Sequence, residues 1–175
     1  MNVILVMVQT ADGKTTKGDN PTLHGWSSPE DLAHFALLKS KHRVLVMGKN
    51  TYLTLKEKIV PQTSLRRIVM THSPDQFSDK QVDGQLEFTA ETPEALVTRL
   101  AAEGYESLLL VGGSMLNTAF LEKKLITQCY LTIEPRFFGS GNTLFAPYTT
   151  DVALRLATVT KLNDQGTLLI HYHVV

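Results

Sequence analysis

Two short apolar runs in this chain end in the same way. Arg43–Met47 (RVLVM) leads into Gly48-Lys49-Asn50-Thr51, and Ser107–Val111 (SLLLV) leads into Gly112-Gly113-Ser114. Each reads as a buried strand that turns at glycine directly into a helix. Strands covered on both faces have such near-continuous apolar runs, and they belong to parallel sheets flanked by helices. A glycine lets the backbone approach an anion closely, and the helix start beyond it offers free N–H groups and a positive dipole end. Two such corners in one parallel sheet could grip both ends of a pyrophosphate, because ligands of these sheets bind at the carboxyl ends of strands. Glycine also serves turn geometry alone, and a single corner does not separate the two uses.

The rest of the chain extends this pattern. Asn2–Val8 (NVILVMV) is a further buried strand, followed by a polar, turn-rich stretch from Gln9 to Ser27 that holds Asp12-Gly13, Gly18 and Pro21. Connections of that length in a compact domain are often functional. Ser28-Pro29-Glu30-Asp31 reads as a helix start, with Ser28 as cap, Pro29 at the first helical position and acids at the positive end. Strands are expected at Arg67–Thr71 and around Leu86–Phe88. A helix begins at Thr92-Pro93-Glu94 and stops at Gly104, and Gln128–Ile133 is another strand. Val152–Thr160 and Thr167–Val174 flank Asn163-Asp164-Gln165-Gly166 and read as a hairpin. The expected fold is one α/β domain over 1–175, a mixed sheet with a parallel centre, an antiparallel C-terminal hairpin and helices on both faces.

Charge excludes several function classes. The 175 residues carry 17 Lys+Arg and 17 Asp+Glu, so nothing in the whole-chain charge points to nucleic acid or an anionic membrane. The balance is local, however: Met1–His72 holds ten Lys/Arg against five Asp/Glu, and the remainder holds seven against twelve. The apolar start, Met1–Val8, is too short to span a membrane and has no basic lead. One cysteine excludes an internal disulfide, and the expected setting is a reducing cytoplasm. Cys129 lies among apolar neighbours and reads as inert core. His171 and His173 share a strand face without a third ligand, so no metal site is expected. Leu154 and Leu156, with Leu168 and Ile170, read as core or dimer surface.

The common nucleotide and hydrolase motifs are missing. No G-x-G-x-x-G follows the first strand, Gly13…Gly18 is not followed by the lysine of a P-loop, and Leu116 stands where a serine-hydrolase elbow needs glycine. The chain instead resembles the dihydrofolate-reductase-like superfamily. Thr10-Ala11-Asp12-Gly13-Lys14-Thr15, Trp26-Ser27-Ser28-Pro29 and Ile133-Glu134-Pro135-Arg136-Phe137-Phe138-Gly139-Ser140-Gly141 are similar to the reductase domain of the bifunctional riboflavin-biosynthesis deaminase–reductase. The run from Trp26 to Phe35, Met47-Gly48-Lys49-Asn50-Thr51-Tyr52, Val111-Gly112-Gly113 and Tyr130-Leu131-Thr132 are similar to dihydrofolate reductase itself.

The resemblance implies NADPH as hydride donor. Gly48, Lys49, Asn50 and Thr51 would hold its phosphate and adenosine side, and Gly112, Gly113, Ser114 and Met115 would face pyrophosphate and nicotinamide. Thr71, His72 and Ser73 would lie at the adenosine ribose, with Lys49 and His72 beside the 2′-phosphate. Asp31 matches the family carboxylate that binds the substrate ring and helps deliver a proton beside the hydride. Its spacing fits equally a capping box, in which Asp31 reaches back to the helix start. Trp26 and Thr132 would shape the substrate pocket, with Asp12 and Lys14 on the loop over the nicotinamide.

The implied substrate is a pyrimidine- or pterin-like heterocycle, with the ribosylamino-pyrimidine of riboflavin biosynthesis ahead of dihydrofolate, and the implied assembly is a homodimer. Two departures from the riboflavin branch keep a third reading open, a domain that binds NADPH without catalysis. Val111 stands where that branch carries Glu, and Thr54-Leu55-Lys56-Glu57 stands where it carries an Asp-Pro segment. Arg66 and Arg67 read as a solvated strand start, only loosely placed for the arginine that holds the glutamate tail of dihydrofolate.

Overall fold

A computed structural model describes residues 1–20 and 25–175, so Pro21 of the Gln9–Ser27 stretch lies outside the described residues. In chain order the elements are β1 (Asn2–Thr10), α1 (Pro29–Lys41), β2 (Val44–Gly48), α2 (Lys49–Leu55), β3 (Arg66–Met70), β4 (Leu86–Thr89), α3 (Pro93–Ala102), β5 (Ser107–Leu110), α4 (Ser114–Glu122), β6 (Gln128–Glu134), β7 (Leu154–Lys161) and β8 (Leu168–Val174). Short 3-10 turns occupy Lys56–Lys58 and Pro74–Lys80.

The strands form one eight-stranded sheet in the order β4-β3-β2-β5-β1-β6-β8-β7. Every pairing from β4 through β6 is parallel, and β8 then pairs antiparallel with both β6 and β7. The expected mixed sheet is therefore present, with the hairpin at its edge. The apolar runs explain why the centre is buried on both sides. Alternate residues Val3, Leu5, Val44, Val46, Leu108 and Leu110 pack beneath Leu96 and Leu100 of α3 and Phe120 of α4. Their neighbours Ile4, Leu45, Met47 and Leu109 pack with Leu38 of α1 and Tyr52 of α2 on the other face. That is the period-two alternation of a strand, apolar at both phases.

The helix starts follow their caps. The Ser28 side chain accepts from the Asp31 backbone N–H at 3.3 Å, and the Thr92 side chain accepts from Ala95 N–H at 3.3 Å. Beyond α3, Gly104 takes φ +87°, the left-handed residue that ends the helix. Cys129 is buried, and burial pushes its thiol up to about 12.

Two expectations need correction. Of the two readings of Leu154 and Leu156, core fails and a surface position stands: they are 50% and 54% exposed, and all eight residues of β7 are exposed. Arg66 and Arg67 are not a solvated strand start either. Arg66 is paired with Glu87 and Glu103, the first at 2.6 Å, while Arg67 is only 8% exposed. The acids that draw Arg66 inward come from β4 and the end of α3, too far along the chain for local patterning to reveal.

Candidate active site

The two glycine corners are adjacent and bonded to each other. β2 and β5 are neighbours, and the Gly48 N–H donates to the Gly112 carbonyl at 2.8 Å. Gly112 has φ +94°, a backbone conformation that favours glycine, and a Cβ there would lie 3.3 Å from the sulfur of the flexible Met7 side chain. A Cβ on Gly113 would lie 3.5 Å from the Thr51 hydroxyl, which brings the start of α4 against the start of α2. Neither helix has a side-chain cap at its N-terminus, in contrast to α1 and α3. Lys49, Asn50 and His72 are exposed, Thr51, Ser73 and Ser114 half-buried, and Thr71 buried. Met115 is 77% exposed. Since β3 flanks β2, the structure collects Gly48–Thr51, Thr71–Ser73 and Gly112–Met115 on one contiguous edge. That edge fits a bound dinucleotide: close backbone approach, unpaired helix-start N–H groups, hydroxyls and one lysine.

Asp31 lies on the other side of β1, at the start of α1. The hydroxyls of Thr132 on β6 and of Ser27 are close enough to its carboxyl group to act on its ionisation. Burial is the largest influence on it and raises its pKa above the usual carboxylate value. The two hydroxyls act against that, the charge of Glu134 adds to it, and His34 acts against it. The capping role that Asp31 fits by spacing is instead filled by Glu134, whose Oε1 accepts from the Ser28 backbone N–H at 2.7 Å. Thr132 is 2% exposed and Glu134 3%. Trp26 is buried, and its ring meets Phe138 edge-on at 5.3 Å between centroids.

The loop after β1 is latched to the segment after β6. The Asp12 carboxylate accepts from the Thr10 hydroxyl, from Phe138 N–H at 3.1 Å and from Gly139 N–H at 2.7 Å. These bonds hold its pKa below the usual range, the Thr10 hydroxyl most of all, and commit the side chain to the loop itself. The Lys14 backbone N–H donates to the Thr10 hydroxyl at 2.9 Å, closing the Asp12-Gly13 turn, and Lys14 is half-buried. Further on, Gly141 passes so close to Thr16 that a Cβ would stand 2.0 Å from its carbonyl oxygen.

Two residues that bear on this site escape sequence reasoning. Glu134 had one available signal, a lone acid in a mostly apolar strand two residues after Thr132 and so on the same face. His34 follows Asp31 by one helical turn, and its Nε2 is buried without a partner among the described residues. Next to it, Tyr130 stacks on His171 at 4.1 Å, and the His171 Nε2 pairs with Gln128 Oε1 at 3.0 Å.

Known proteins are similar to this chain in sequence and in fold. The chain is 30% identical over 114 residues to the protein YwjB of Bacillus subtilis (strain 168), an alignment covering 64% of this chain and 63% of that one. It is 34% identical over 95 residues to the dihydrofolate reductase of Mycobacterium tuberculosis (strain H37Rv), covering 53% of this chain and 56% of the enzyme. The matched parts thus span less than two thirds of either relative. A crystal structure from Shewanella sp. PV-4, provisionally named a riboflavin biosynthesis protein, superposes with a TM-score of 0.82 at 20% identity. That superposition covers 100% of this chain and 99% of the other, and it establishes the common fold. A sequence model of the RibD C-terminal domain matches residues 1–168, nearly the full length over which the glycine corners, the Asp31 helix and the latched loop are distributed, and the chain belongs to that family.

Proposed function

We propose that this protein is an NADPH-dependent reductase acting on an imine-type bond of a pyrimidine- or pterin-like heterocycle, in a cytoplasmic homodimer. The reduction step on the ribosylamino-pyrimidine of riboflavin biosynthesis is the first candidate. The observation that carries this reading is the pair of sites on one sheet edge. An uncapped double glycine corner lies on one side of β1, and a half-buried carboxylate with a raised pKa lies on the other.

Gly48–Thr51 and Gly112–Met115 hold the dinucleotide in this reading, with Thr71–Ser73 at its adenosine end. Bound NADPH supplies the hydride. Asp31 holds the heterocycle by hydrogen bonds and retains a proton for the nitrogen of the C=N bond, while the substrate carbon gains the hydride. Thr132 fixes the orientation of that carboxyl group. Trp26 walls the pocket, and Asp12 keeps the loop bearing Lys14 in place. Placement and electrostatics then carry most of the rate.

Dihydrofolate reduction is the second reading, and one observation favours an extended, anionic substrate of either kind. Arg67 is a buried guanidinium whose Nη1 has no partner among the described residues, and its charge contributes to the lowered pKa of Lys39. Lys39 lies eight residues beyond Asp31 on α1, about 12 Å along the helix. A phosphate ester or a glutamate carboxylate at that distance would meet positive charge.

The homodimer is supported by β7, an uncovered edge strand with Leu154, Leu156 and Val159 half exposed. NADPH oxidation followed at its absorbance band, with each of the two substrates, tests the reading. Turnover of either one supports it. Binding of NADPH without turnover of either favours a non-catalytic binding domain, and absence of NADPH binding refutes the cofactor assignment.

A further inference from the structure

Four side chains and the Ser28 backbone N–H, between α1, β6 and the β7–β8 turn, form one hydrogen-bonded chain around a buried acid. Glu134 Oε1 accepts from the Ser28 backbone N–H at 2.7 Å, and Oε2 accepts from the Thr167 hydroxyl at 2.8 Å. The Thr167 oxygen in turn accepts from Asn163 Nδ2 at 3.0 Å, and the same amide nitrogen donates to Glu30 Oε2 at 3.0 Å. Asn163 Oδ1 accepts from the Thr167 N–H at 3.0 Å, which fixes the orientation of the amide. Thr167 is 1% exposed.

The bond to Ser28 is the informative one. In a capping box the third helical residue bends back to the backbone N–H of the cap residue. Here the third residue is Asp31 and the cap is Ser28, yet that N–H is taken by an acid from another element. We propose that Glu134 is a positioning residue: by occupying the Ser28 N–H from β6, it releases the Asp31 carboxyl from the helix start and leaves it to Thr132 and the ligand. Thr167 and Asn163 hold Glu134 in place, so the β7–β8 turn takes part in building the substrate side of the site.

The position also sets charge. The groups that act on Asp31 are the hydroxyls of Thr132 and Ser27, Glu134 on β6 and His34 on its own helix. A second carboxylate nearby makes ionisation of Asp31 harder, which suits a group that must keep a proton for its substrate. This consequence rests on the reductase reading of Asp31; the release from the cap does not.

The test uses Glu134→Gln, whose amide oxygen can still accept from Ser28 while its charge is gone, and Thr167→Val, which removes the support. The side-chain carboxyl of Asp31 is followed by carbon NMR in full-length protein with labelled aspartate, assigned by its loss in Asp31→Asn. In Glu134→Gln its titration midpoint falls toward the ordinary carboxylate range, and the alkaline limb of the rate profile moves to lower pH with it. In Thr167→Val, hydrogen exchange at the Ser28 amide accelerates. A midpoint unchanged in Glu134→Gln together with Ser28 exchange unchanged in Thr167→Val overturns the proposal, whether or not a substrate has been found. Faster Ser28 exchange in Thr167→Val, in a protein that turns over neither substrate, upholds the positioning role and counts against the reductase reading alone.

Discussion

Replacing Gly141 by alanine tests how firmly the loop over the site is latched. The added Cβ would lie 2.0 Å from the Thr16 carbonyl oxygen, 2.9 Å from its carbonyl carbon and 3.1 Å from its hydroxyl. Carbon and a carbonyl oxygen settle at about 3.3 Å, so one backbone must retreat by about 1.3 Å. The nearest obstacle is main chain, and no side-chain rotation relieves it. The retreat breaks the bonds that join the segments: Thr15 N–H to Asn142 O at 2.8 Å, Gly18 N–H to Ser140 O at 3.0 Å, and Asn142 N–H to Thr16 Oγ1 at 2.8 Å. Three hydrogen bonds at a net of about 1 kcal/mol each, with about 1 kcal/mol for an alanine at φ +141°, give a loss of about 4 kcal/mol. For a chain of this size that lowers Tm by about 8–16 °C. Gly139→Ala is the control, since φ is +72° there but a Cβ meets nothing within 4 Å, so it carries backbone strain alone. Thermal unfolding and hydrogen exchange at the Thr15, Gly18 and Asn142 amides read the outcome. If Gly141→Ala loses no more stability than Gly139→Ala, and the three amides exchange as in wild type, the latch argument is wrong.

Asp31→Asn removes a half-buried group whose pKa folding raises. Between the ordinary carboxylate value and the raised one, the native state binds more protons than the unfolded chain, so this group's contribution to stability declines as pH rises. Urea unfolding of the variant and wild type should therefore diverge in favour of the variant from acid to neutral pH, while NADPH oxidation falls about 10²–10⁴-fold. Arg99→Met breaks an ion cluster in which Arg99 meets Glu87 at 2.5 Å, Glu91 at 2.7 Å and Glu103 at 2.9 Å. The half-exposed setting places the loss at about 1–2 kcal/mol. The lowered pKa values of Glu91 and Glu103 mean that their contribution is present above the ordinary carboxylate range and lost as pH falls, so the variant's acid limb should be flatter. Cys129, with its thiol pushed up to about 12, should resist iodoacetamide at mildly alkaline pH in the native protein and react once denatured, as read by mass spectrometry.

The parallel half of the fold was legible because its signals are local. A run such as Arg43–Met47 carries its burial in its own composition, and Gly48 and Gly112 mark the turn at its end. The antiparallel edge was legible only as a hairpin. Leu154-Arg155-Leu156 alternates as any half-buried strand does, and whether a face is covered depends on what lies beyond the strand. All eight residues of β7 are exposed, so the alternation faces solvent on both sides.

Asp31 shows why a site can be less legible than the fold around it. A capping box and a ligand-facing carboxylate ask for the same residue at the same distance from Ser28, and no amount of local pattern separates them. What separates them is Glu134, over a hundred residues later, which takes the backbone group that a capping Asp31 would need. The same logic divides Arg66 from Arg67. Adjacent residues of identical chemistry meet opposite fates, one satisfied by Glu87 and Glu103, the other buried with a nitrogen that has no partner among the described residues, because successive strand residues face opposite sides of the sheet. In each pair the deciding partner is non-local. The excess of positive charge before His72 therefore says less about the ligand than where each charge is neutralised: Arg66 is used up within the fold, whereas Lys49 stays exposed at the glycine corner and Arg67 has no ion-pair partner among the described residues.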